Sequence, residues 1–91
     1  KSYDVKNYTN SLYLRFEVKD KPGVLSEITR KLAKNKISVK RIIQTPANKN
    51  KIATIVIITH KTREKNSNNC LHIFKKNKNI VKKPTLIRLF N

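Results

Sequence analysis

Ninety-one residues, 37% of them hydrophobic, can enclose one small core and leave no room for a second domain or for the deep substrate cleft of an enzyme. The 22 Lys and Arg against 5 Asp and Glu give a formal net charge of +17, which at face value suits nucleic acid or an anionic surface. Lys, Asn and Ile are all frequent while Gly occurs once, the joint bias of an AT-rich coding sequence, so charge by itself assigns no partner.

The longest apolar run, residues 55–58, falls far short of the roughly 20 residues that cross a bilayer, and the first residues lack the apolar stretch of a signal peptide. The expectation is a cytoplasmic domain with no membrane contact. Cys70 stands alone, so no internal disulfide is possible. The chain opens on Lys1 and contains no Met, and it reads as a piece of a longer polypeptide.

Residues 1–11 (KSYDVKNYTNS) are polar with scattered Tyr and no period, and read as a linker arriving from a preceding domain; the folded unit is expected over 12–91. Leu12, Leu14, Phe16 and Val18 alternate with Tyr13, Arg15, Glu17 and Lys19, the period-two pattern of a strand with one buried face. Asp20-Lys21-Pro22-Gly23 breaks that strand. Asp20 is placed to cap a helix, and Pro22 suits a first helical turn because the N–H it lacks has no partner there anyway. Val24, Leu25, Ile28 and Leu32 then recur at helical spacing, with Glu27, Arg30, Lys31 and Lys34 opposite and Glu27 and Lys31 set for an ion pair one turn apart. This helix is expected to end near Asn35-Lys36.

Residues 37–45 (ISVKRIIQT) predict a second strand whose alternation slips phase at Arg41-Ile42-Ile43, as at a bulge, with Gln44 just past the irregularity. A polar hairpin loop at 46–51 leads to 52–60 (IATIVIITH), a β-branched segment expected as a central strand covered on much of both faces. Thr62 is a candidate cap for a second helix in which Cys70, Leu71 and Phe74 form an apolar stripe, although Asn66, Ser67, Asn68 and Asn69 are poor helix formers. A basic turn region at 75–83 carries Ile80 and Val81, and 84–90 (PTLIRLF) reads as a last strand with Pro84 tolerated at its start. The order β-α-β-β-α-β predicts an α+β ferredoxin-like sandwich, a four-stranded antiparallel sheet with both helices on one face.

The run LRFEVKDKPGVLSEITRKLAKNKISVKRIIQ, residues 14–44, resembles the opening of an ACT domain: a strand, then Asp-x-Pro-Gly-Val-Leu, a helix, and an Ile-Ser-Val strand. Gln44 ending the second strand, Thr59-His60 closing the third with Glu64 shortly after, and the terminal Pro-Thr-Leu-Ile-Arg resemble more narrowly the C-terminal regulatory domain of the homoserine dehydrogenase family. The resemblance runs from Leu12 to the C-terminus, and the Asn run and the added Lys residues within 66–83 depart from it. It implies a parent enzyme that reduces aspartate semialdehyde to homoserine with NAD(P), on the route to threonine and methionine, with neither that chemistry nor a cofactor residing in this chain. It also implies an amino-acid sensor, threonine favoured, working as a homodimer and acting on the catalytic domains of the parent. ACT domains of other amino-acid-pathway enzymes share the outline.

The chemistry of such a site can be argued from its residues. Where a strand ends and a helix begins, the first helical N–H groups lack intrahelical partners and the helix dipole presents partial positive charge, so a carboxylate binds there. The effector's carboxylate would lie against the N–H groups of Gly23, Val24 and Leu25, its ammonium would meet Asp20 or a carbonyl, and Gln44 would reach a side-chain hydroxyl. Asp20, Pro22, Gly23, Val24, Leu25 and Gln44 are therefore the candidate effector-binding residues. The plainer alternative is that Asp20 only caps, Gly23 only turns, Gln44 is solvated, and the domain only dimerises.

Other classes find less support. An RNA-recognition module has this element order but stacks bases on aromatic residues of its third strand, and 52–60 holds neither an aromatic residue nor Gly. His60, Cys70 and His72 lack a paired metal-ligand spacing, and Cys70 reads as a small core residue rather than a nucleophile. Neither a Gly-rich phosphate loop nor a paired-carboxylate constellation is present.

Overall fold

The alternation around Phe16 becomes the central strand of the sheet, β1 (Thr9–Lys19), in which Leu12, Leu14, Phe16 and Val18 are each at most 2% exposed. The structure, a computed structural model, describes residues 9–89. β1 starts at Thr9, inside the stretch read as a linker; residues 1–8 lie outside the described residues.

Along one edge of β1 runs β3 (Ile52–Thr59), antiparallel from Tyr13 opposite Ile58 to Lys19 opposite Ile52. Along the other runs β5 (Thr85–Leu89), from Ser11 opposite Leu89 to Arg15 opposite Thr85. β2 (Val39–Gln44) pairs with the far edge of β3. The two-residue β4 (Thr62–Arg63) faces Asn10 and Thr9. Because Ile58 faces Tyr13 and Thr62 faces Asn10, β4 is the run of β3 resumed after a bulge that carries one residue too many. The sheet is thus all antiparallel, and α1 (Val24–Lys34) and α2 (Glu64–Phe74) bury their apolar stripes against one face of it, the ferredoxin-like arrangement.

Thr59 makes that bulge possible. Its fully buried hydroxyl accepts from the Leu12 N–H at 2.9 Å and donates to the His60 carbonyl at 2.8 Å, standing in for the main-chain partner that the extra residue displaces. The recruitment of Thr62 into β4 corrects the expectation that it caps the second helix: the residue at the cap is Arg63, with no side-chain cap. The sheet edge offered by Thr9 and Asn10 outweighs a local cap.

Phe16 and Phe74 meet edge to face at the centre of the core, ring centroids 5.0 Å apart and planes at 74°. Around them lie Ile28 and Leu32 of α1, Ile55 and Ile57 of β3, and Cys70 of α2. The buried line of α2 is Ser67, Cys70 and Phe74, with Leu71 at its margin, so small Ser67 takes a place expected of a larger apolar residue. The Asn-rich helix forms because this packing outweighs poor intrinsic propensity.

α1 ends as its sequence suggested, and the mechanism is local. Lys36 takes a left-handed φ of 62°, its N–H bonds the Ala33 carbonyl, and the Ile37 N–H bonds the Leu32 carbonyl at 2.9 Å, a Schellman stop with Ile37 buried against the core. β2 then begins at Val39 rather than at residue 37, and its register shift falls between Val39 and Arg41, ahead of the predicted slip. The two faces of β3 differ: Ala53, Ile55, Ile57 and Thr59 are buried under the helices, whereas Ile52, Thr54, Val56 and Ile58 on the open face are half-buried. The expected cover on both faces is therefore complete on one only.

Replacing Thr59 by Val preserves shape but leaves the Leu12 N–H without its acceptor in a buried site. The expected loss is about 1–3 kcal/mol, read as a lower urea midpoint at unchanged slope.

Candidate functional site

The strand-to-helix junction begins where β1 is pinned on both sides. The Lys19 N–H bonds the Asn79 carbonyl at 2.8 Å, and the Asp20 N–H bonds the Lys51 carbonyl at 2.9 Å. Gly23 then turns the chain with φ 87° and ψ −10° and occupies the cap position of α1, whose first helical bond runs from the Glu27 N–H to the Gly23 carbonyl at 3.0 Å. Pro22 lies in the turn ahead of the helix, and no side chain caps it, which corrects the expected roles of Asp20 and Pro22. The reason is geometric: the left-handed turn places the residue without a side chain in the capping slot, and Asp20 is left exposed further back along the chain.

The consequence is a helix N-terminus whose first N–H groups lack good main-chain partners. Those of Leu25 and Ser26 precede the first helical bond, and that of Val24 has only a long 3.4 Å contact to the Lys21 carbonyl. Val24 is buried and Leu25 packs at the core margin, so the turn is anchored from below while Lys21, Pro22 and Gly23 are exposed. Gln44, the last residue of β2, stands opposite Ile55, which places it on the helix-covered side of the sheet, exposed. A depression of about 410 Å³ beside the junction is lined by Lys19, Asp20, Lys21, Asn50, Lys51 and Ile52, and includes neither Gly23 nor Gln44.

Two side-chain ties were not foreseen. Arg88 of β5 clasps Glu64 in the first turn of α2, with Nε donating to Oε1 at 2.6 Å and a terminal nitrogen to Oε2. Hydrogen bonding from Arg88 holds the Glu64 carboxyl below the usual carboxylate range, against the opposing effect of burial. The second tie concerns Glu27, expected to pair with Lys31; it accepts instead from the Asn77 side chain, which binds α1 to the turn after α2. Glu64 and Arg88 were both singled out in the sequence, but nothing in their spacing pairs them.

Cys70 sits in the core, where burial pushes its thiol up to about 12, so it is no thiolate at neutral pH. His60 and His72 are exposed. Among the described residues no helix is long and apolar enough to cross a membrane.

A sequence model of the ACT domain family matches residues 12–69. The chain is 36% identical over 81 residues to a homoserine dehydrogenase of Neisseria gonorrhoeae, a match that covers 89% of this chain and 19% of that protein. It is 41% identical over 64 residues to a homoserine dehydrogenase of Methylobacillus glycogenes, covering 69% and 16% respectively. The crystal structure of a homoserine dehydrogenase from Thiobacillus denitrificans superposes with a TM-score of 0.85 at 30% identity, covering 98% of this chain and 19% of that one. The ACT domain of a GTP pyrophosphokinase from Chlorobium tepidum, at 18% identity and a TM-score of 0.65, shares the fold. The chain thus spans about a fifth of the length of the homoserine dehydrogenases it resembles.

Two outcomes follow from this geometry. At Gly23 an added Cβ meets nothing within 4 Å, so Gly23→Ala acts through its positive φ alone; the expected cost is about 1–2 kcal/mol in a denaturant titration. Glu64→Gln lowers stability by about 1 kcal/mol at neutral pH, a figure kept small because the Arg88 side chain is 37% exposed and screened by water. Since the folded carboxyl titrates below its ordinary 4.5, this advantage is full above that pH and vanishes as pH falls through the lowered value, so the stability curves of the wild type and of Glu64→Gln converge in acid.

Proposed function

This chain belongs to the ACT domain family, and on that premise we propose that it is the regulatory domain of a homoserine dehydrogenase, sensing threonine for feedback control. The observation that carries the reading is the near-complete coverage of this chain by one region of the Thiobacillus denitrificans enzyme. Beside it stands a helix N-terminus whose first N–H groups lack good main-chain partners, suited to a carboxylate. NAD(P) and the hydride chemistry belong, on this reading, to catalytic domains elsewhere in the parent, which would act in the cytoplasm.

Each residue of the junction then has a task. Gly23 brings the main chain within reach of the effector's carboxylate, the Val24 and Leu25 N–H groups bind it, and the exposed Asp20 carboxylate meets the ammonium. Gln44 contributes a side-chain amide that takes a hydroxyl, which favours threonine over its apolar isosteres. On this reading a second copy of the domain completes the site; within one copy the cavity at Asp20 does not extend to Gln44. Threonine would act by binding one arrangement of the paired domains more tightly than another, a tenfold preference corresponding to about 1.4 kcal/mol of coupling.

Thermal unfolding with single amino acids tests this. Threonine at a hundredfold excess over its dissociation constant adds about 2.7 kcal/mol to the folded state, a rise in Tm of several degrees. Serine gives a smaller rise, and valine and lysine give none. Gln44→Ala abolishes the response without lowering Tm in buffer. An unchanged Tm with every amino acid defeats the proposal and leaves the domain a dimerisation role.

A further inference from the structure

On the open face of the sheet, away from the helices and the effector junction, the chain builds a second cationic recess. β1 takes three steps from Arg15 to Val18, while the returning chain takes five from Ile80 to Thr85 to stay in register with it. The surplus is Lys82 and Lys83, which bulge from the sheet edge. The bulge is held at both feet: the Val81 N–H bonds the Glu17 carbonyl at 2.9 Å, and Pro84 is buried. The pairing therefore fixes the two lysines beside the outward-facing side chains of β1.

The floor of the recess is Tyr13, paired with Ile87, and Arg15. Glu17 lies at its side but its charge is already engaged. Thr54 Oγ1 donates to its carboxylate at 2.9 Å and Arg15 Nε at 3.1 Å. Arg15 meets that carboxylate through Nε, with Tyr13 as its other side-chain neighbour, and the guanidinium lies along the floor of the recess. Three cations, Arg15, Lys82 and Lys83, thus face one satisfied carboxylate around about 370 Å³, beside an apolar wall of Tyr13 and Ile87.

We infer that this recess binds a phosphate monoester carrying a flat or apolar group. The charge excess matches a dianion better than a single carboxylate, and the guanidinium offers donors that phosphate oxygens accept. Tyr13 and Ile87 take the organic part. The site uses no residue of the threonine reading and stands or falls independently of it.

Adenosine monophosphate, inorganic phosphate and adenosine, titrated into the isotope-labelled chain at physiological ionic strength and followed by amide chemical shifts, test the inference. The monophosphate gives saturable shifts confined to Tyr13, Arg15, the 82–85 segment and Ile87; inorganic phosphate gives weaker ones at the same residues, and adenosine gives none. Lys82→Gln with Lys83→Gln weakens the monophosphate by about tenfold or more, as does Arg15→Gln, on the scale of one charge-assisted hydrogen bond. Arg30→Gln with Lys34→Gln, exposed basic positions of α1 on the opposite side of the sheet, leaves the affinity unchanged. Shifts that never saturate and spread evenly over Lys36, Lys40, Arg63 and Lys65 would mean a counterion atmosphere and overturn the site.

Discussion

Both edges of β1 are occupied by antiparallel partners, and its inner face supplies four of the thirteen buried hydrophobic core residues among the described residues. A strand so held cannot slip, because a shift of one residue would carry Leu12, Leu14, Phe16 and Val18 to the open face and Arg15 and Glu17 under the helices. Every other segment must therefore meet the spacing that β1 sets. Where a neighbour has residues to spare, it bulges: once at His60-Lys61, stabilised by the Thr59 hydroxyl, and once at Lys82-Lys83, anchored by Val81 and buried Pro84.

These two irregularities have different outcomes. The first turns the chain from sheet to helix and sets Glu64 in the opening turn of α2, within reach of Arg88 on β5. That clasp joins a helix to the edge strand on the far side of β1, so α2 cannot shift over the sheet without breaking it. The second bulge places two lysines beside Arg15 on the face that no helix covers. One departure from strand regularity tightens the fold, and the other leaves charge exposed where a ligand can reach it.

The strand-to-helix junction depends on the same strand. Bonds from Lys19 and Asp20 to the Asn79 and Lys51 carbonyls fix where β1 ends, and the single glycine then permits the left-handed turn that presents the N-terminus of α1. With a side chain at Gly23 the turn would be strained; with an Asp or Ser in the capping slot, the N–H groups would be satisfied internally. The absence of a side-chain cap costs α1 some stability and leaves its dipole and donors open to an anion.

Whatever depends on neighbours in the chain was legible in the residues. Alternation from Leu12 to Lys19, helical spacing from Val24 to Leu32, and the Pro-Gly break between them specify elements, order and buried faces, because periodicity records which side of a strand or helix meets the core. The family was legible too, since the Asp-x-Pro-Gly-Val-Leu run encodes a local turn. Side-chain partners, by contrast, emerged from the assembled fold. Thr62 looked like a cap until the edge of Thr9 and Asn10 drew it into the sheet. Glu27 looked set for Lys31 until the turn after α2 brought Asn77 to it, and Glu64 met Arg88 only because β5 returned along β1. Local patterns fix conformation, but the bond a polar side chain makes is settled by whichever distant segment the sheet register delivers to it, and that register is a property of the assembled strands.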